Sequence, residues 1–384
     1  MLATLLALTI CLAAAGIFFE LVVAGRSVGR LVNRPPLDPD AAAHPRVSII
    51  VAARDEASRI EGALCSLLAQ RYPRFEVIVV DDRSTDDTGS ILERAQREDA
   101  RLRVLRIDAV PGGWLGKNHA LHRGAEVATG ELLLFADADV HMDPTALSRA
   151  VGAMCETEVD HLTIIPGLVA PTRMTRLAVE YFWLFYQLYT RPWKVSDPHS
   201  AAHAGVGAFN MVRAELYWRM GGHTAIALRP DDDIKLGKLV KLRGGRSLVL
   251  LGPGLVSVEW YPSVRAFVRG MRKNSFASLD YSIPRLVGAI TGGAVLQLWP
   301  FAALLLTTGP LLALYSVAAL LLVVPLGVSM RRGGAPAWLA LGYPLAAAVM
   351  LYAMAGSAVA ALRHRGIEWR GTRYPLDMLR KNRV

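Results

Sequence analysis

Cysteine is nearly missing from this 384-residue chain: Cys11, Cys65 and Cys155 are odd in number, scattered, and without metal-ligand spacing. That excludes a disulfide framework and points to a reducing compartment. A Walker-type phosphate loop is missing as well, because Gly112, Gly113 and Gly116 lie beside Lys117 without its spacing. No repeat of solenoid period is present, which excludes a stacked-repeat architecture. No basic segment precedes the apolar run of residues 2–23, and Arg26, Arg30 and Arg34 follow it, so an uncleaved anchor is favoured over a signal peptide. Acidic residues are outnumbered 33 to 43, for a net charge of +10. The surplus cations gather beside apolar segments, as with Arg331, Arg332, Arg363, Arg365, Arg370 and Arg383. That placement suits anionic lipid headgroups and argues against nucleic acid as the partner.

What the chain has in quantity is apolar sequence, 53% of residues, with a mean hydropathy of +0.31. It is concentrated at the two ends. The expected layout is a transmembrane anchor over 1–25, a proline-rich linker over 26–45, a water-facing domain over 46–280, a C-terminal transmembrane region over 281–362, and a basic tail over 363–384. Three spans fit the C-terminal region, near 286–308, 310–329 and 337–361, each about bilayer length. The positive-inside bias places the water-facing domain in the cytoplasm of a multi-pass cell-membrane protein. The same bias conflicts with four crossings, which would carry the basic tail to the far side; either one segment is re-entrant or the tail departs from the rule. The stretch 177–193 carries dense aromatics between arginines, readable as core or as a membrane-surface patch.

Between residues 47 and 137 short apolar runs alternate with helical patterns. Strands are predicted at Val47–Val51, Phe75–Val80, Arg103–Ile107 and Glu131–Phe135, with helices near Ile60–Leu68, Thr88–Ala95 and Asn118–Ala128. This alternation predicts an α/β fold, a mostly parallel twisted sheet with helices on both faces and ligands at the carboxyl ends of the strands. Carboxylates stand at those ends: Asp55 with Glu56, Asp81 with Asp82, and Asp137 with Asp139, followed later by Asp231, Asp232 and Asp233. Asp137 and Asp139, two apart in extended backbone, would face the same side. Unpaired charge beside a buried strand is unfavourable, and a divalent cation with oxygen ligands relieves it.

The stretches VSIIVAARDEA, VIVVDDRSTDDT, GELLLFADADV, GVGAFNMVRAELYWRMGGH and RPDDDIKLG, in that order, resemble an inverting family 2 glycosyltransferase of GT-A fold over residues 46–275. The resemblance implies that Ala53, Arg54 and Glu56 belong to the nucleotide-facing loop and that Asp81 and Asp82 contact base and ribose. It makes Asp139 the metal ligand for Mg²⁺ or Mn²⁺, with Asp137 bridging to the nucleotide sugar. Asp233 aligns with the catalytic base and Asp232 with its acidic neighbour, while Asp231 is read as a cap for a helix beginning at Ile234. Lys117 is either a donor-site lysine or an exposed lysine at a helix start. No role is assigned to His203 or His223.

Processive members of that family carry Gln-x-x-Arg-Trp after the base; nothing after Asp233 matches it, so transfer of a single sugar is expected. Arg269, Arg272 and Lys273 either neutralise a phosphate or form a basic helix at the membrane surface. The flanking apolar segments resemble the layout of bacterial enzymes that glycosylate carotenoid- or hopanoid-type lipids. The implied reaction joins a sugar from a nucleotide-diphosphate donor, a UDP-sugar by preference, to a lipid hydroxyl. A polyprenyl-phosphate sugar synthase, which uses a lipid phosphate acceptor, is the alternative.

Overall fold

The computed structural model describes residues 1–37, 44–369 and 372–382. Residues 38–43 of the expected linker, Arg370 and Arg383 of the tail, and the side chains of Arg272 and Lys273 lie outside what it describes. The described chain forms two compact units, one of Met1–Ser27, Val169–Trp193 and Trp260–Arg380, the other of Val28–Leu168, Lys194–Glu259 and the C-terminal Lys381 and Asn382.

The second unit is built on strands β1 (Gly29–Arg30), β2 (Val47–Ala53), β3 (Phe75–Asp82), β4 (Leu102–Ile107), β5 (Leu132–Asp137), β6 (Val140–Met142), β7 (His161–Ile165), β8 (Gly167–Val169), β9 (Asn210–Arg213), β10 (Ser247–Leu251) and β11 (Val256–Glu259). Eight of them make one sheet in the order β1-β10-β7-β9-β5-β2-β3-β4. Only β9 runs antiparallel to its neighbours β5 and β7. A second sheet has the order β6-β11-β8.

Strands β2, β3 and β5 are apolar nearly throughout, Ser48, Glu76 and the terminal aspartates apart, because both faces of the sheet are covered. Along β2 and β5, Val47, Ile49, Val51, Leu132, Leu134 and Ala136 enter one core, with Ile60, Leu64, Leu147 and Val151 from the helices Ile60–Leu68 and Ala146–Thr157. Ile50, Leu133 and Phe135 enter another, with Leu121 and Ala125 of helix Gly116–Val127 and Leu236, Leu239 and Val240 of helix Asp232–Leu242. Side chains alternate along a strand, so Asp137 follows Leu133 and Phe135 onto the face that carries these last two helices. Parallel register then aligns the acidic strand ends: Ala53 pairs with Asp81 across β2 and β3, and Ala52 with Asp137 across β2 and β5.

The first unit is helical apart from one antiparallel pair, Gly366–Trp369 with Thr372–Pro375. Four of its segments, Leu2–Ser27, Ile283–Leu306, Gly309–Arg332 and Ala337–Arg363, are long and apolar enough to cross a membrane. The aromatic stretch forms helix Arg173–Thr190, with Tyr181, Leu184 and Tyr186 buried and Met174, Phe185 and Tyr189 exposed. The first apolar segment does contain a charge, Glu20. It accepts a hydrogen bond from Trp193 Nε1 at 2.8 Å and lies 3.6 Å from Arg191, which satisfies a carboxylate that hydrocarbon would not.

Candidate active site

Two loops at the ends of β2 and β3 are tied to each other by hydrogen bonds. The Asp55 carboxylate accepts the Thr85 N–H at 2.7 Å, the Asp55 N–H donates to Ser84 Oγ at 3.0 Å, the Glu56 N–H to Thr88 Oγ1 at 2.8 Å, and the Ala57 N–H to Asp86 Oδ2 at 3.0 Å. Asp55 and Arg83 take up left-handed backbone, with φ of 52° and 58°. Asp55 thus acts as a loop clamp. Asp81 and Asp82 point to opposite faces of β3, as strand alternation requires. Asp81 accepts the Ser84 N–H at 3.1 Å, and Asp82 holds Arg83 by two hydrogen bonds of 2.7 and 3.2 Å.

The acids expected at the metal and the base are gathered by Lys117. Its Nζ lies 2.8 Å from Asp137 and 3.4 Å from Asp232, so it is no exposed lysine at a helix start. Burial alone would lower its pKa, but Asp137, Asp232 and Asp233 together hold it raised and therefore protonated. Asp139 sits in the turn after β5 rather than in extended backbone, because the strand ends at Asp137. It is nevertheless close enough to be affected: burial first, then the charges of Asp137 and Glu56, push its carboxyl up to about 6, against the pull of Arg59 at 3.3 Å.

Asp233 occupies the first turn of helix Asp232–Leu242. Oδ2 accepts the Gly207 N–H at 2.9 Å and Oδ1 accepts the Ile234 N–H at 2.8 Å. Burial, then the neighbouring Asp232, raise its pKa to about 7. Gly207 also accepts the Asp137 N–H at 2.9 Å, so one residue ties the end of β5 to the carboxylate of Asp233. A recess of about 240 Å³ opens among Lys117, Asp137, Gly207, His223, Asp232 and Asp233. Asp231 takes the N-cap position, but its side chain makes no cap hydrogen bond. The helix begins at Asp232, and the Asp231 carboxylate is instead gripped by buried Arg229 through two hydrogen bonds of 2.8 Å.

Among the described residues no group of three or more acidic, histidine or cysteine side chains could hold a metal by itself. The hard oxygens of Asp137 and Asp139 fit the other mode, in which Mg²⁺ or Mn²⁺ takes one or two carboxylates and completes its shell with substrate phosphates and water.

Residues 48–218 match the family model described as Glycosyl transferase family 2, a segment running from β2 past β9. Over that segment the chain is similar to family 2 glycosyltransferases, and it is a glycosyltransferase. A 4,4'-diaponeurosporenoate glycosyltransferase of Staphylococcus aureus strain USA300 is 26% identical over 280 residues, covering 71% of this chain and 70% of its own. The strain MRSA252 protein of the same name is 27% identical over 279 residues, with the same coverage. Among solved structures, a mannosyltransferase from Pyrobaculum calidifontis in complex with GDP-Man and Mn²⁺ has a TM-score of 0.53 at 22% identity, over 94% of this chain and 99% of its own. The fold is GT-A.

The acidic run 231–233 lies beyond the matched segment, and the transferase holds it in place through Asn118 and through Asn210 of the stretch GVGAFN. Asn118 Nδ2 donates to the carbonyls of Ile226, Ala227 and Arg229 at 2.8, 3.3 and 2.9 Å, pinning the loop that leads into Asp231. Asn210 Nδ2 donates to the Asp233 carbonyl at 3.1 Å, and Asn210 Oδ1 lies 2.6 Å from Nε2 of buried His161. Burial lowers His161 to about 4, so the ring is neutral there. His223 forms part of the recess wall, neutral for the same first reason, with Nδ1 2.9 Å from the Tyr217 hydroxyl. In sequence, Asn118 is marked only by its adjacency to Lys117, and Asn210 and His223 only by their place in the stretch GVGAFNMVRAELYWRMGGH.

Gly205 shows how tightly this part of the transferase is built: a Cβ there would lie 1.8 Å from the Asp233 backbone oxygen. Backbone cannot swing aside as a side-chain tip can. Gly205→Ala is therefore expected to shift Asp233 and slow transfer by about 10²-fold, the loss expected of roughly 1 Å misplacement. Steady-state kinetics should find the donor KM little changed; wild-type turnover would refute the argument.

Proposed function

We propose that the enzyme transfers one sugar, with inversion, from a nucleoside-diphosphate sugar, by preference a UDP-sugar, to a hydroxyl of a lipid or membrane-associated acceptor. The observation that carries this reading is Asp233, a carboxylate oriented by two backbone N–H groups and held near neutral pKa beside the lysine-bridged acids. A group so tuned takes the proton from an acceptor hydroxyl as that oxygen attacks the anomeric carbon. Asp232 supports it by raising its proton affinity. Ala53, Arg54, Glu56, Asp81 and Asp82 line the nucleotide side in this reading, and protonated Lys117 meets the departing diphosphate.

Asp139, with Asp137, would hold Mg²⁺ or Mn²⁺. Bound there, the cation stabilises charge on the diphosphate leaving group without proton transfer. A lipid acceptor is supported by the named substrate of the staphylococcal relatives and by the four apolar helices. With the layout of anchor, linker, catalytic domain 46–280, membrane region and tail comes a cell-membrane enzyme whose catalytic domain faces the cytoplasm, where nucleotide sugars are made.

Incubating membranes that contain the full chain with a panel of radiolabelled nucleotide sugars and Mg²⁺ or Mn²⁺, then extracting lipid, tests the reading. Label is expected in a lipid glycoside, with release of nucleoside diphosphate. Label confined to a water-soluble polymer would overturn the lipid acceptor, and label in a lipid-phosphate sugar would identify a phosphate acceptor instead.

A further inference from the structure

In the helical unit, a cavity of about 320 Å³ is lined by Leu21, Tyr181, Leu184, Gln297, Leu322 and Tyr343, among others. Part of that space is its open mouth, so it would take part of one chain rather than a whole lipid. Its wall is hydrocarbon except for one polar cluster. Gln297 Oε1 accepts hydrogen bonds from the hydroxyls of Tyr181 and Tyr343, the latter at 3.3 Å, and both bonds fall on the amide oxygen. The amide N–H groups make no hydrogen bond within the described residues, and Gln297 borders the cavity.

The backbone supplies a second, independent sign. Phe19–Val23 and Ala294–Leu298 are both π-helical turns, each continuous with α-helix, in two different apolar segments. Such turns are rare and concentrate at functional sites, because the inserted residue re-aims its neighbours. Irregular backbone at membrane depth is tolerated where it is buried in protein or lines a cavity. Each of these two turns contributes a residue, Leu21 and Gln297, to the same cavity. Interhelical hydrogen bonding would account for the tyrosine–glutamine contacts. It does not account for the space beside them, or for a π turn that presents a leucine.

We infer that this cavity seats one apolar lipid chain that carries a hydrogen-bond-accepting oxygen, the oxygen meeting the Gln297 amide. The chemistry is shared by a lipid acceptor and by an ordinary bilayer lipid, and the inference does not depend on which reaction the enzyme performs.

The full-length protein in nanodiscs is photolabelled with a palmitic acid carrying a diazirine and, in parallel, with an alkane diazirine. Saturable labelling is expected on the peptides containing Leu184 and Gln297, competed by unlabelled palmitate. Leu184→Trp, which fills the cavity, should reduce both labels about tenfold. Gln297→Leu, which keeps the volume, should weaken the palmitate label by about five- to tenfold, as loss of one hydrogen bond predicts, and spare the alkane label. Unsaturable label spread over outward-facing Leu320 and Val359, unchanged by either substitution, would overturn the inference. If Leu184→Trp fails to fold, as judged by size-exclusion profile, wild-type saturability and the Gln297→Leu comparison still decide. A raised KM for the lipid acceptor in either variant, with the donor KM unchanged, identifies the chain as the acceptor's; unchanged acceptor kinetics alongside lost labelling identify a bilayer lipid.

Discussion

Asp233→Asn is expected to lower the turnover number by about 10²–10⁴-fold, the contribution typical of a positioned general base, with the donor KM nearly unchanged. The asparagine keeps the size of the side chain and cannot take a proton. In the wild type, kcat/KM should rise with pH and level off above about 7, where Asp233 is ionised. That limb should vanish in the variant. Stability gives an independent reading of the same group. The folded pKa, about 7, lies above the unfolded carboxylate value near 3.9, so ionisation is harder in the folded state. The group's contribution to stability therefore declines as pH climbs from about 4 to about 7. The difference in Tm between Asp233→Asn and wild type, measured without added metal, should move in the variant's favour across that window. A pH-independent difference together with retained turnover would remove Asp233 from the role of base and favour a phosphate acceptor.

Much of the sheet was legible in sequence because burial on both faces forces a signal that survives without an alignment. Val47–Val51, Phe75–Val80 and Leu132–Phe135 are apolar but for Ser48 and Glu76, because alternate residues enter different cores. The acids were legible for a related reason, since charge directly after such a run needs an explanation. What the sequence concealed depends on partners distant in the chain. Lys117 is 115 positions from the Asp232 it approaches, and nothing local separates it from a surface lysine. Asn118, Asn210 and Gly205 act on backbone atoms, which carry no side-chain signature. Asp231 stands at the N-cap its local context suits, but Arg229, buried two residues earlier, claims the carboxylate that would have done the capping. The extended geometry assumed for Asp137 and Asp139 failed at a strand end, the least predictable part of any element.

Asp139→Ala is expected to reduce transfer by more than about 10²-fold and to abolish tight Mn²⁺ binding in the presence of a nucleoside diphosphate. The choice of Asp139 over Asp137 follows from what holds each carboxylate. Asp137 is engaged by Lys117 at 2.8 Å, whereas Arg59 approaches Asp139 at the longer 3.3 Å. Burial with the charges of Asp137 and Glu56 leaves Asp139 at about 6, the elevated value of a carboxylate short of positive charge. A divalent cation supplies that charge, and a proton competes with it. Because the ligand must be deprotonated, apparent Mn²⁺ affinity should be nearly constant above about pH 6 and weaken about tenfold for each pH unit below it. Electron paramagnetic resonance of Mn²⁺ titrated into the full-length protein with UDP or GDP measures this without reference to turnover. Asp139→Asn should flatten that pH dependence along with the affinity. Unaltered Mn²⁺ affinity in both variants would mean that the turn after β5 does not hold the cation, and that Asp139 serves only as the partner of Arg59.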